Sequence, residues 1–125
     1  MDKRRILIVD DEVQMRKKYK KVLMTAKFSV IEAPRAIDVA NILMREKSSL
    51  DLIVLDINMP EVDGREIYEI IQEYAPELPI IVSSVLPVRE QKIRMSKAVD
   101  YYNKADDPDV LVKKARKAVG VETPA

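Results

Sequence analysis

Three aspartates, two adjacent serines and a lysine stand where short apolar runs of the chain stop. Asp10 and Asp11 follow Ile6 to Val9, Asp56 follows Leu52 to Leu55, Ser83 and Ser84 follow Ile80 to Val82, and Lys104 follows Tyr101 to Asn103. Carboxylates brought together repel one another unless protons or a cation relieve them. Oxygen donors with no imidazole or thiolate among them suit Mg2+ or a similar hard ion. Such an ion keeps several waters, so one or two carboxylates and a backbone carbonyl suffice, and sites stay free for a phosphoryl oxygen. Each residue taken singly has an ordinary explanation: Asp10 and Asp11 as helix caps, Asp56 as a loop residue, Ser84 as a turn residue and Lys104 as a solvated amine. Their coincidence at successive run ends favours a site.

Residues 10 and 56 can meet only if the fold brings them together, and the hydrophobic pattern says how. After each apolar run the spacing becomes helical: Met15, Tyr19, Val22, Leu23 and Ala26, then Ala36, Ile37, Ala40, Leu43 and Met44 behind Val30 and Ile31. Ile67, Ile70, Ile71 and Tyr74 follow the third run, a weakly amphipathic stretch from Val88 to Ala98 follows the fourth, and Leu111, Ala115, Ala118 and Val119 follow the fifth. That last helix should start near Asp107 or Pro108 and be capped by Gly120. Alternating strands and helices with fully apolar strands predict an α/β fold: a five-stranded parallel sheet with right-handed crossovers and helices on both faces, flavodoxin-like and doubly wound. The common order for such a sheet is 2-1-3-4-5, which makes the first and third strands neighbours and puts ligands at their C-terminal ends. Asp10, Asp11 and Asp56 would then share one pocket.

With 125 residues the chain has room for one domain, expected over residues 1–120 with a tail at 121–125, and none for a DNA-binding or enzymatic output domain. Lys and Arg nearly balance Asp and Glu, and a net charge of +1 offers no field for a nucleic-acid backbone. The absence of Cys and His removes thiol nucleophiles, imidazole bases and the usual zinc sites. Gly64 and Gly120 are the only glycines, so neither a P-loop nor a dinucleotide fingerprint can be written. No apolar run is long enough for a signal sequence or a membrane span, which points to a cytoplasmic protein without membrane insertion.

The stretches RRILIVDDE, LDLIVLDINMPEVDG, ELPIIVSS and DYYNK resemble the response-regulator receiver domain of two-component signalling over nearly the whole chain. The resemblance implies that Asp56 is the phospho-acceptor and that Asp11, Asp56 and the backbone carbonyl of Asn58 hold Mg2+, with Asp10 assisting through water. It makes Ser84 the switch hydroxyl, Lys104 the conserved amine and Tyr101 the aromatic that reports the switch; Met59, Pro60 and Gly64 fit the loop after the acceptor. The chemistry is self-consistent: a carboxylate can attack phosphorus to give an acyl phosphate while a metal and an amine stabilise the transferring charge, and no base is needed. Without His the chain cannot supply its own phosphohistidine, so a histidine kinase, a phosphotransfer protein or a small phosphoryl compound must be the donor. A downstream protein target would read a surface altered around residues 87 to 104. The domain would catalyse its own phosphorylation and dephosphorylation without turning over an external substrate.

Departures from the family pattern bear on switching more than on the acceptor. Ser83 competes with Ser84 for the switch role. Val85 stands where a smaller residue is usual and predicts slow dephosphorylation. Ala105 replaces a proline that commonly follows in a cis bond; a trans bond is expected here, with Lys104 displaced. Lys97 replaces a glycine and predicts a changed turn. Strand alternation makes Tyr102 structural packing, and the basic run Arg16 to Lys21 reads as a solvated helix face around core Tyr19, with docking of an acidic partner as the minor alternative. The rival functions are a phosphorylation-independent receiver-like interaction module and, more remotely, an aspartate phosphatase, whose Asp-x-Asp this chain lacks.

Overall fold

The computed structural model describes residues 3–57 and 64–121. Five strands alternate with five helices: β1 (Arg5–Val9), α1 (Val13–Thr25), β2 (Ser29–Ala33), α2 (Ala36–Glu46), β3 (Leu52–Asp56), α3 (Gly64–Tyr74), β4 (Ile80–Ser84), α4 (Val88–Arg94), β5 (Asp100–Asn103) and α5 (Pro108–Ala118). A single 3-10 turn, Lys47–Ser49, links α2 to β3. All pairings are parallel in the order β2-β1-β3-β4-β5, as the strand and helix pattern predicts.

β3 and β4 are buried at every position because helices cover both faces of the sheet, and this is why their sequences are aliphatic runs rather than alternations. The alternation reappears as two separate cores. Leu7, Val9, Ile53, Leu55 and Val82 pack with α2, α3 and the Met95 region, while Ile6, Ile8, Leu52, Val54 and Ile81 pack with α1 and α5. Tyr101 belongs to the first core and Tyr102 to the second, the opposite-face placement expected of adjacent strand residues.

Helix ends follow local chemistry. α5 starts with Asp107 as its N-cap, whose carboxylate accepts the Asp109 N–H at 2.9 Å, and Pro108 occupies the first turn. Its end is a Schellman arrangement, with Gly120 at φ 74°, its N–H donating to the Lys117 carbonyl and the Val121 N–H to the Arg116 carbonyl. α4 is only seven residues long, shorter than the Val88 to Ala98 stretch suggests.

The stripe read for α2 is shifted. Leu43 is buried as expected, but Ile37 is 56% and Met44 84% exposed, whereas Val39 and Ile42 are inside. On α3 the outer end of the stripe is likewise open, Tyr74 being 57% exposed, and Tyr68 is buried in addition to Ile67 and Ile71. A period of 3.6 fixes a face only to within a neighbouring position, and the side of the helix that meets the sheet is chosen by the crossover.

Candidate functional site

Asp10, Asp11, Asp56, Ser83, Ser84 and Lys104 gather at the C-terminal edge of the sheet. Pairing of β1 with β3 places Val9 opposite Leu55, so that Asp10 and Asp56 emerge side by side. Carboxylate oxygens of Asp10, Asp11 and Asp56 lie within 4.8 Å of one another. Asp10 and Asp56 are each 1% exposed. From β5 the Lys104 ammonium reaches across to Asp10 Oδ2 at 3.1 Å and Asp56 Oδ2 at 3.2 Å, with its side chain 7% exposed. The expected displacement of Lys104 by Ala105 is therefore not seen. The peptide bond between them is trans, as predicted, since no described bond is cis. The backbone keeps Lys104 in place through its N–H, which donates to the Ser84 carbonyl at 2.8 Å.

Asp10 is not a helix cap. Its Oδ1 accepts the Glu12 N–H at 2.9 Å, closing a turn ahead of α1, while the N-cap position belongs to Glu12, which makes no side-chain cap. Burial disfavours the Lys104 ammonium, but Asp56 and then Asp10 outweigh it and hold its pKa above the ordinary lysine value. A pKa raised on folding stabilises the fold below the unfolded value of 10.5 and ceases to do so as the pH climbs through the folded value. Thermal melts at rising pH should accordingly show an alkaline loss of stability beginning above about pH 10; the buried tyrosines, also raised by burial, share in it, so the loss should be smaller in Lys104→Met rather than absent, and identical alkaline profiles for the two proteins would contradict this.

Ser83 and Ser84 part company. Ser84, fully buried, accepts the Leu86 N–H on its Oγ at 3.0 Å. Ser83 pairs in register with Asp56 on one side and Tyr102 on the other, and its Oγ is buried without a hydrogen-bond partner among the described residues. Tyr101 is 5% exposed and its hydroxyl donates to the Met95 carbonyl at 2.6 Å, so the ring already lies inward. Val85, which directly follows Ser84, is 67% exposed. Lys97 lies in the turn before β5 without a positive φ. Asn58, Met59 and Pro60 lie outside the described residues.

Two contributors were not legible beforehand. Arg16, read only as part of a basic face, donates from Nη1 to the Asp10 carbonyl at 2.7 Å and from Nε to Glu32 at 3.2 Å, tying the acidic turn to β2. Gln91 is fully buried, and its Nε2 bridges the carbonyls of Leu86 and Tyr102 at 2.8 and 3.1 Å. A glutamine on a short charged helix carries no signal of that role. Lys20 adds a contact to Glu32 at 3.4 Å, whereas Lys17, Lys18 and Lys21 face solvent.

The donor set fits a hard divalent cation. Asp11 Oδ1 is buried with no hydrogen-bond partner among the described residues, although a carboxylate oxygen hidden from water needs a proton donor or a cation. Among the described residues the only ammonium in the cluster engages Asp10 and Asp56, leaving that oxygen for an ion.

A parallel α/β sheet with an acidic pocket and a lysine at its C-terminal edge defines a class of fold and site, and comparison with known proteins supplies the family. The model of the response regulator receiver domain matches residues 6–116, so the chain belongs to that family. Among its relatives are the two-component response regulator ARR2 of Arabidopsis thaliana, 30% identical over 80 residues that make up 64% of this chain and 12% of that protein. Another is a protein-glutamate methylesterase/protein-glutamine glutaminase of Trichodesmium erythraeum, 33% identical over 71% of this chain and 25% of its own length. The chain thus spans a quarter or less of these relatives. Similar solved structures include a CheY-like receiver domain protein from Methanospirillum hungatei (TM-score 0.85, 24% identity, 95% of each chain). A second is the response regulator TrrA of Thermotoga maritima in complex with Mg2+-BeF (TM-score 0.81, 26% identity, 92% of this chain and 98% of that one). Among the described residues no helix is long and apolar enough to cross a membrane.

Proposed function

We propose that this domain accepts a phosphoryl group on Asp56 from a phosphohistidine of a histidine kinase or phosphotransfer protein in the cytoplasm, and that a downstream protein reads the resulting change of surface. The observation that carries this reading is the buried Asp56 carboxylate held 3.2 Å from the Lys104 ammonium and grouped with Asp10 and Asp11. A buried acid cluster with its own fixed cation is built to receive more negative charge, not to exclude it.

The transfer is an in-line displacement. An Asp56 oxygen forms a bond to phosphorus as the bond from phosphorus to the donor nitrogen breaks, and the donor imidazole keeps that electron pair. Lys104 faces the acceptor throughout and stabilises the charge that gathers on the transferring oxygens. Mg2+, held by Asp10, Asp11, Asp56 and the backbone carbonyl of Asn58, would neutralise those oxygens further; the Thermotoga maritima relative in complex with Mg2+-BeF supports the choice of ion. Asp10 contributes through its fixed carboxylate, anchored on one side by the Glu12 N–H and on the other by Lys104.

Ser84 is the proposed switch hydroxyl. To bond a phosphoryl oxygen it donates its O–H, and because its Oγ also accepts the Leu86 N–H, a move toward the pocket draws the loop after β4 with it. Tyr101 does not need to swing inward; the loop change is felt through its bond to the Met95 carbonyl at the end of α4. The test is incubation with acetyl phosphate and Mg2+ followed by intact-mass measurement, which should show one phosphoryl group added. Once it is attached, Val85→Ala should lose it several-fold faster, because an exposed branched side chain next to Ser84 would narrow the path of water to the phosphoryl group; equal or slower loss would refute that role for Val85.

A further inference from the structure

The second core is apolar except near the acid pocket. Ile6, Ile8, Leu52, Val54, Ile81 and Phe28 pack there with Tyr19 and Tyr102. Tyr19, on α1, is 1% exposed, and its ring meets that of Tyr102 edge to face with centroids 5.9 Å apart and planes at 84°. Ser83, also 1% exposed, lies on this side of the sheet. Neither the Tyr19 hydroxyl nor the Ser83 Oγ meets a partner in hydrogen-bond geometry among the described residues. A phenylalanine and an alanine would occupy nearly the same space without burying unpaired polar atoms, so the two hydroxyls call for an explanation.

Their positions supply one. Asp56 and Ser83 are partners in register on neighbouring parallel strands, so their side chains leave the same face of the sheet about 4.8 Å apart. That spacing lets a serine hydroxyl reach a neighbouring carboxylate after rotation about one bond. Tyr19 lies at the same place: its ring packs on Tyr102, the register neighbour of Ser83 on β5, and burial above all, with the charges of Asp10 and Asp56 adding and the Ser83 hydroxyl opposing, raises its hydroxyl pKa to about 12.

We propose that Tyr19 and Ser83 form a hydroxyl relay beneath the acceptor, in which Tyr19 donates to Ser83 and Ser83 donates to the Asp56 carboxylate, so that both act as positioning residues for phosphoryl uptake. The relay rests on Asp56 being the acceptor. It holds the carboxylate in one rotamer as phosphorus approaches, from the side of the sheet opposite Ser84 and Tyr101. It also makes α1 a contributor to the chemistry rather than a covering helix.

The test compares initial rates of uptake from acetyl phosphate at fixed Mg2+ with the melting temperature of each protein. Tyr19→Phe and Ser83→Ala should each slow uptake about fivefold, the worth of one ordinary hydrogen bond. Their melting temperatures should hold or rise, since each change removes a buried polar atom. Because Tyr19 acts through Ser83, the double variant should be no slower than Ser83→Ala alone. Ser83→Thr and Ser83→Val, equal in shape and different only in the hydroxyl, separate positioning from packing: Thr should keep most of the rate and Val should lose it. Wild-type rates in the single variants, multiplied losses in the double, or equal rates for Thr and Val would overturn the relay. A wild-type protein that takes up no phosphoryl group would instead overturn the acceptor reading, and the relay with it.

Discussion

Asp56→Ala protein incubated with acetyl phosphate and Mg2+ should show no added phosphoryl mass, while the wild type gains one group. Asp56 is the only one of the three clustered acids that lies on a strand end between β1 and β4 and faces the Lys104 ammonium at 3.2 Å. Asp10 is already committed to the Glu12 N–H and to Lys104, and Asp11, half-buried, stands in the turn after β1 rather than on a strand. Loss of the adduct should be complete rather than graded, because no other nucleophile shares that position. The variant should remain folded, as it relieves like-charge repulsion in the pocket and leaves Lys104 paired with Asp10. A wild-type adduct that persists in the variant would place the phosphoryl group elsewhere. No adduct on the wild type, with Mg2+ saturating, would favour the interaction module that works without phosphorylation.

Lys104→Met carries the second large effect, on stability as well as on chemistry. The substitution keeps an unbranched stem of similar length and removes the one ammonium that faces two carboxylates, each 1% exposed. Removing one partner of a buried ionic group leaves uncompensated charge and costs about 3 kcal/mol or more. For a domain of this size the melting temperature should fall by about 10 °C. The sign of the magnesium dependence makes the prediction specific. An ion bound by the same carboxylates replaces the missing charge, and at a hundred times its Kd such binding returns about 2.7 kcal/mol. The gap between variant and wild type should therefore shrink as Mg2+ is raised, because the lysine no longer competes for Asp10 and Asp56. Phosphoryl uptake should stay slow even with Mg2+ saturating, since the ion and the amine stabilise different oxygens. A melting temperature equal to wild type without Mg2+, or a deficit that Mg2+ leaves untouched, would show that Lys104 does not neutralise this cluster.

The fold was legible because its signals are local and repeated. Aliphatic runs at 6–9, 52–55 and 80–82 admit few alternatives to buried strands, and helical spacing between them forces parallel pairing. Where the reading failed, the missing information was not local. Ile37 and Met44 have the right type and spacing for an inward stripe, yet Val39 and Ile42 face the sheet, because the rotation of a helix about its axis depends on where the crossover lands. Arg16 and Gln91 look like surface residues by type. Each is drawn inward by backbone carbonyls that only the assembled sheet edge presents: Asp10 for the arginine, Leu86 and Tyr102 for the glutamine.

Residue types at the ends of apolar runs determined which chemistry this protein could carry: carboxylates, hydroxyls and one amine, with no thiol, imidazole or phosphate-binding glycine loop. Pairing of β1 with β3 decided that the carboxylates meet, and the reach of Lys104 from β5 decided which of them it neutralises. The side of the sheet on which each serine and tyrosine acts also waited for the fold. Strand alternation says that Ser83 and Ser84, or Tyr101 and Tyr102, point opposite ways, but only the packed helices determine that Tyr19 lies beneath one face and α4 over the other. The physical reason is range: side-chain chemistry is written residue by residue, whereas the electrostatics of a pocket come from groups up to 94 positions apart, held within hydrogen-bond distance by the sheet.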